Sequence, residues 1–562
     1  MNRPRQSCAS RYGVVLGALW FGVLAGCDRD KIVDISPPSR SAANGSATTT
    51  EASSAASQDT PAATDDAAAT ATQTAGVAEA APPDTPADAA CRTEHGRLLT
   101  FYKNLPSDFS GISKERREQL VSQVFTMQQN ARSFLAQCAV ETRVGKELAP
   151  DVHFFLGKLL FLMSKIERQK VYNDLASKKL MGHAFQMEFQ KRMREYYNEI
   201  VDELGLALEG LPKAGDLRPD ALLVLGQSCF EGELYTKAKS AYEKFLADYG
   251  DVDKHRDDAA AAHAALGKTL LSLEEYEPAA AILEKGWKSF PGTPTGPYFG
   301  EGTWKVYRAA GDLDGMARTV DRALEDLAKR LEQSALSPQE RQRIETLHLY
   351  NEFRKGFVQQ ARGDLEAAAA SFRRHIARLD AYELERKTLP QAWEIYRRRS
   401  QAHLKFLNEL AGTPPPRDLD LGSGWITDEK LLLSEQTGKV VAIVFRRLGD
   451  ERSARFLAPL SHICAEEPDL DVVTISYLKH EQNVAEALVE LRSDLQSMAY
   501  LGPAGFDPDS VERSLFDAFH ATIGSATIVV IDRQGYPVWF QQDPHDAHIN
   551  MVKAIMKRLA SS

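Results

Sequence analysis

The chain has 562 residues, 43% of them hydrophobic and 26% charged, with a formal net charge of −10. That length accommodates two or three domains, and the composition is that of ordinary globular protein. The acidic balance opposes non-specific nucleic-acid binding, so no nucleic-acid partner is expected. The first predicted element is a leader over residues 1–26, with Arg3, Arg5 and Arg11 followed by an apolar run from Tyr12 to Ala25. A short basic-then-apolar segment ending in small residues reads as an export signal rather than a spanning helix.

The leader closes on Leu24-Ala25-Gly26-Cys27. This quartet resembles the lipobox of bacterial lipoproteins. The resemblance implies that Cys27 is lipidated, becomes the first mature residue and holds the chain to a membrane. Lipid anchoring contributes roughly 0.8 kcal/mol per buried methylene. The implied location is the bacterial cell envelope, facing the periplasm or exterior, with inner and outer membrane both left open. Residues 27–90 are Ala, Thr, Ser, Pro and Asp with almost no large apolar side chain. Such a segment buries too little surface to offset the ordering of its backbone, and it reads as a disordered tether.

Six cysteines stand at 8, 27, 91, 138, 229 and 464, with no Cys-x-x-Cys among them. That excludes the usual zinc-finger spacing and the usual dithiol pair. An exported chain permits disulfides, and Cys91 with Cys138 is the candidate pair. Cys229 and Cys464 fall on apolar helical faces and read as buried thiols.

From Lys114 to about Leu410 apolar residues recur every three or four positions, the period of amphipathic helices. Residues 91–218 form a first helical domain, with an apolar stretch at Phe154, Phe155, Leu159, Leu160, Phe161 and Met163. A repeat begins at Pro219. Its units contain Leu225-Gly226, Ala238 and Tyr242, then Leu266-Gly267, Ala279 and Leu283, then Trp304, Gly311-Asp312 and Ala323, then Gly356, Gly363-Asp364-Leu365, Ala368 and Phe372. The pattern predicts helical hairpins whose small residues admit the second helix and whose large residues fill the gap to the next hairpin. It resembles the tetratricopeptide repeat over residues 219–411, which implies a protein or peptide partner on the array. The acidic loop 251–258 lacks the central glycine and terminal glutamate of an EF-hand and reads as a solvated connection.

Ala411 to Pro416 ends the helices, and the period then changes. Strands are predicted at 439–445, 472–477, 527–531 and 536–540, and helices at 451–464, 484–498 and 547–559. β-Branched runs alternating with helices indicate an α/β sheet covered on both faces. Gly438-Lys439-Val440-Val441, Phe445, Phe456, Pro459 and Leu460, then Gly524 to Thr527 and Ile531 to Gly535, make residues 418–562 resemble the thioredoxin-like fold, redoxins in particular. The predicted fold class is therefore α plus α/β: a disordered tether, a helical-hairpin repeat array, then a thioredoxin-like domain.

That resemblance places Asp450 and Ser453 where the family carries its cysteine pair, and Ala526 where it carries its cis-proline. Thiol exchange needs a thiolate, so dithiol chemistry is not expected and no cofactor is implied. The leading reading is a membrane-tethered, non-catalytic binding or scaffold protein. One alternative is an envelope thiol oxidoreductase using Cys464 alone. Another is a metal-binding module, with Asp543, His545, Asp546 and His548 as candidate ligands before the last helix. The plain reading of that cluster is a helix cap at Asp543 or Asp546.

Overall fold

The computed structural model describes residues 83–105, 113–178, 182–333, 336–386, 388–415, 418–419, 421, 424–427, 431–448, 450–477, 484–507, 515–521, 526–544 and 548–562. The leader, Cys27 and nearly all of the expected tether lie outside the described residues, as do His545 and Asp546. No helix among the described residues is long and apolar enough to cross a membrane.

The described chain divides into two compact units, one ending at Asp248 and one starting at Tyr249. The first unit opens with α1 (Pro86–Lys103). Thr85 caps it: its hydroxyl accepts from the Asp88 amide, and the Asp88 carboxylate accepts from the Thr85 amide. With Pro86 in the first turn this is a capping box. Residues 86–90, expected to be tether, are therefore helix. The low-complexity composition hid the Thr-Pro-x-Asp start signal.

Four further long elements follow: α2 (Lys114–Glu141), α3 (Arg143–Ser177), α4 (Gly182–Gly210) and α5 (Leu217–Glu231), with α6 (Tyr235–Tyr249) closing the unit. Cys91 on α1 is disulfide-bonded to Cys138 on α2, with Cα atoms 5.8 Å apart. Helix α3 packs against α1, α2, α4 and α5. Its Phe154 and Phe155 are buried and meet the ring of Tyr102, whose hydroxyl donates to Asp220.

The second unit begins with three hairpins: α7 (Arg256–Ser272) with α8 (Tyr276–Ser289), α9 (Phe299–Ala310) with α10 (Leu313–Leu331), and α11 (Pro338–Ala361) with α12 (Leu365–Arg386). A single helix, α13 (Gln391–Glu409), follows. The hairpins close as the repeat pattern requires. A Cβ on Gly226 would lie 2.7 Å from the Tyr242 ring, on Gly267 2.4 Å from Leu283, and on Gly356 2.9 Å from Phe372. Ala238, Ala279 and Ala368 are fully buried. The boundary between the two units falls after the first hairpin, inside the expected 219–411 array.

The remaining elements are β1 (Val440–Arg447), α14 (Glu451–Ala465), β2 (Leu470–Tyr477), α15 (Val484–Ser497), β3 (Ala504–Asp507), α16 (Leu515–Ala518), β4 (Thr527–Ile531), β5 (Pro537–Gln542) and α17 (Ile549–Ser561). One five-stranded sheet runs β3-β2-β1-β4-β5. Strands β1, β2 and β3 are parallel, and β4 and β5 are antiparallel to their neighbours. This β1-α14-β2 and β4-β5-α17 arrangement is thioredoxin-like. Strand β3 was not predicted: it has four residues, one a glycine and none β-branched, and so carries little strand signal.

The strands alternate between two cores. Val440, Ala442 and Val444 face Phe456, Leu460 and Ile555. Val441, Ile443 and Phe445 face Phe406, Leu410, Phe516 and Phe519. The first core continues through Trp539 and Met551 into Trp304, Met316, Phe353 and Phe357 of the hairpins. Helix α17 packs on α9 and α10, and β5 packs on α11 and α13. Residues 411–418 thus mark a change of period, where the sequence predicts a domain boundary, but the core does not break there.

Candidate functional site

The turn between β1 and α14 holds Asp450 and Ser453, the positions that the sequence resemblance aligns with a redoxin's thiol pair. The Asp450 amide donates to the Arg447 carbonyl at 3.2 Å, closing the turn. Ser453 is fully buried, and its hydroxyl donates to the Asp450 carbonyl at 2.9 Å. The proton of that hydroxyl is therefore committed to the backbone. Burial removes the oxygen from any substrate approaching from solvent.

Ala526 precedes β4 and is buried. Phe445 pairs with Thr527 across the antiparallel β1–β4 ladder. One further step of that register sets Ala526 opposite Arg446, at the sheet end that carries the turn. The Ala526 carbonyl accepts from the Asp543 amide at 2.9 Å. The fold brings Asp450, Ser453 and Ala526 to one end of the sheet.

Beneath the turn lies a group the sequence did not single out. The Arg446 side chain, at the end of β1, is fully buried. It pairs with Asp494 on α15 and donates to the Met498 sulfur at 3.5 Å. Burial pulls the guanidinium down to about 10, against the opposing influence of Asp450 and Tyr500, so it stays cationic at neutral pH. The neighbouring Ser476 on β2 is also fully buried, and its hydroxyl finds no partner among the described residues. An arginine at the end of an apolar strand reads from sequence as a solvated terminus. Only the return of α15 over that face encloses it.

Cys464 does not belong to this site. It lies eleven residues beyond Ser453 on α14, about 16 Å along the helix. It is buried in the core with Leu460, Leu470 and Val472. Burial, with Asp471 and Glu467 nearby, pushes its thiol up to about 12, so almost no thiolate exists at neutral pH. Cys229 is also a buried free thiol, raised to about 11 by burial.

Of the metal candidates, Asp543 and His548 are described. Asp543 sits at φ 49, and His548 is buried at the N-cap of α17 without a side-chain cap hydrogen bond. The cap is His548 and not Asp543, while Asp546, the other cap candidate, lies outside the described residues. Among the described residues no group of three or more His, Cys, Asp or Glu is assembled to hold a metal.

No family model matches the chain. No curated protein matches it either. Among solved structures it is similar to a thioredoxin-like superfamily protein at 16% identity and a TM-score of 0.23, over 27% of this chain and 98% of that one. It is similar to a thiol:disulfide interchange protein of the thioredoxin family from Chlorobium tepidum at 16% identity and a TM-score of 0.21, over 26% and 98%. A tetratricopeptide repeat protein from Parabacteroides merdae is similar at 13% identity and a TM-score of 0.21, over 56% of this chain and 99% of that one.

Proposed function

We propose that the chain is a membrane-tethered, non-catalytic binding or scaffold protein of a bacterial cell envelope. The observation that carries this reading is the turn itself. A buried serine hydroxyl, closed on a backbone carbonyl, stands where a redoxin exposes its nucleophilic thiol. The described cysteines are a disulfide pair in the first unit and two buried free thiols. The tether rests on the lipobox-like Leu24 to Cys27 and the low-complexity segment after it.

The partner is a protein or peptide held by the helical hairpins. The faces of α9, α11 and α13 that carry Trp304, Phe357 and Phe406 are already covered by the chain's own sheet and α17. Docking therefore falls to hairpin surfaces outside that contact, with the α7/α8 hairpin first among them.

Both halves of the proposal have direct tests. Cys27→Ala should move the protein from the membrane fraction to the soluble one, and unchanged partitioning contradicts lipid anchoring at this residue. In-cell crosslinking from photoreactive residues placed at exposed Lys285 and Lys288 on α8 should capture a discrete partner. Absence of any crosslinked species from both positions contradicts docking at that hairpin.

A further inference from the structure

We infer that the joint between helices α11–α13 and strand β5 is an acid-sensitive device, opened by protonation of His348, His375 and His403. These three imidazoles lie within one stack of helices and are 8%, 0% and 3% exposed. His403 stands at the joint. Its ring stacks on Phe372 at 5.0 Å, meets Phe353 and Phe357 on α11, and meets Phe540 on β5 at 5.4 Å. Phe540 in turn stacks on Phe406 of α13.

The hydrogen bonds suit neutral rings. His403 Nδ1 lies 2.8 Å from the Gln360 side-chain oxygen and donates to it. His375 Nδ1 lies 2.8 Å from the Ser400 hydroxyl, while its buried Nε2 has no partner among the described residues. An imidazolium there would carry a second N–H with no acceptor. The Arg378 guanidinium donates to His348 Nδ1 at 3.0 Å, which requires that nitrogen to be unprotonated.

The surrounding charges act in the same direction. Arg399 faces His403 from its own helix, with Gln360 and aromatic rings on α11, α12 and β5. Arg378 faces both His375 and His348. Glu352 lies 3.6 Å from His348, but it is bound by Arg378, lies near Arg374, and is itself raised by burial. Burial, reinforced by these guanidinium groups, pushes His348 and His375 down to about 4 and His403 down to about 3.

The sign follows from linkage. Each histidine titrates near 6.5 once released and well below that when enclosed, so the open state binds more protons in between. The stability these groups provide is present above about pH 6.5 and is lost as pH falls towards their folded values. At pH 5.5 each histidine favours the open state about tenfold more than at pH 7.5, while ordinary carboxylates stay mostly ionised.

Hydrogen exchange on the full chain at pH 7.5 and 5.5, corrected for the intrinsic chemical rate, reads this opening directly. The expected result is a ten- to thousandfold rise in the opening constant of α11–α13 and β5, with α2–α4 of the other unit nearly unchanged. A rise below tenfold, or an equal rise in α2–α4, overturns the inference. His403→Gln removes one ionisable group and should reduce the pH dependence by about tenfold. An unchanged pH dependence in that variant also overturns it. If the variant does not fold, exchange in the parent chain decides alone.

Discussion

At the level of single residues, enclosure sets the chemistry of the side chains that matter here. Cys464 should resist a thiol reagent at pH 8 in the folded chain and react fully in denaturant, because burial suppresses its thiolate. Cys464→Ser should cost about 1–3 kcal/mol by urea unfolding, since a hydroxyl would enter an apolar site without a partner. Rapid labelling of native Cys464 would show that the core around it opens. Arg446 and Asp494 make a second residue-scale case. Asp494→Ala should destabilise by about 3–5 kcal/mol, because it leaves a buried guanidinium unpaired. Replacing both partners, Arg446→Met with Asp494→Leu, should recover much of that loss in the same unfolding measurement. Residue identity alone shows Asp450 and Ser453 where the thioredoxin-like resemblance places a cysteine pair. It does not expose Arg446, whose enclosure depends on Asp494 of α15, 48 residues later in the chain.

At the element scale, periodicity carries most of the information. Hairpins α5/α6, α7/α8 and α11/α12 are legible because a glycine on one helix must meet a large side chain on the next, and those residue types recur. Gly267→Leu should destabilise the α7/α8 hairpin by at least 1–3 kcal/mol, since even a Cβ would lie 2.4 Å from Leu283. Gly363→Ala tests a different mechanism. Gly363 has φ +86 and open space around it, so the loss should be near 1 kcal/mol and purely conformational. Equal losses at the two glycines, compared by thermal or urea unfolding, would show that close approach does not set the hairpin geometry. Elements fail to show where local signal is short. Strand β3 owes its place to pairing with β2, and its outer edge is covered where the Ile426 amide donates to the Ala504 carbonyl. Helix α1 begins inside a segment whose average composition reads as tether, because a capping box occupies only four residues.

At the scale of the whole molecule, the Pro-rich segment 414–416 reads as a linker, yet the sheet and the hairpins from α9 onward share one core. Asn550 on α17 donates to the Ala309 carbonyl at 2.7 Å. Gly311, at φ +75, leaves no room for a Cβ against the Asn550 carbonyl oxygen, 2.6 Å away. Met551, Val552, Ile555 and Met556 on α17 are all fully or almost fully buried. A fragment of residues 418–562 would expose much of that apolar surface, so it should show no cooperative melt. The segment from Tyr249 to Ser562 should unfold in a single transition. A cooperative melt of the short fragment would restore the separate-domain reading that the change of period suggests.

We propose binding rather than redox chemistry for this thioredoxin-like fold. The most direct test is reductant-driven disulfide reduction by the purified full chain, measured on insulin and compared with its Cys464→Ser variant. Turnover at the uncatalysed background is expected for both proteins, because Ser453 is closed on a backbone carbonyl and Cys464 is a buried, protonated thiol. Turnover above background that disappears in Cys464→Ser would contradict it and establish Cys464 as a one-cysteine nucleophile.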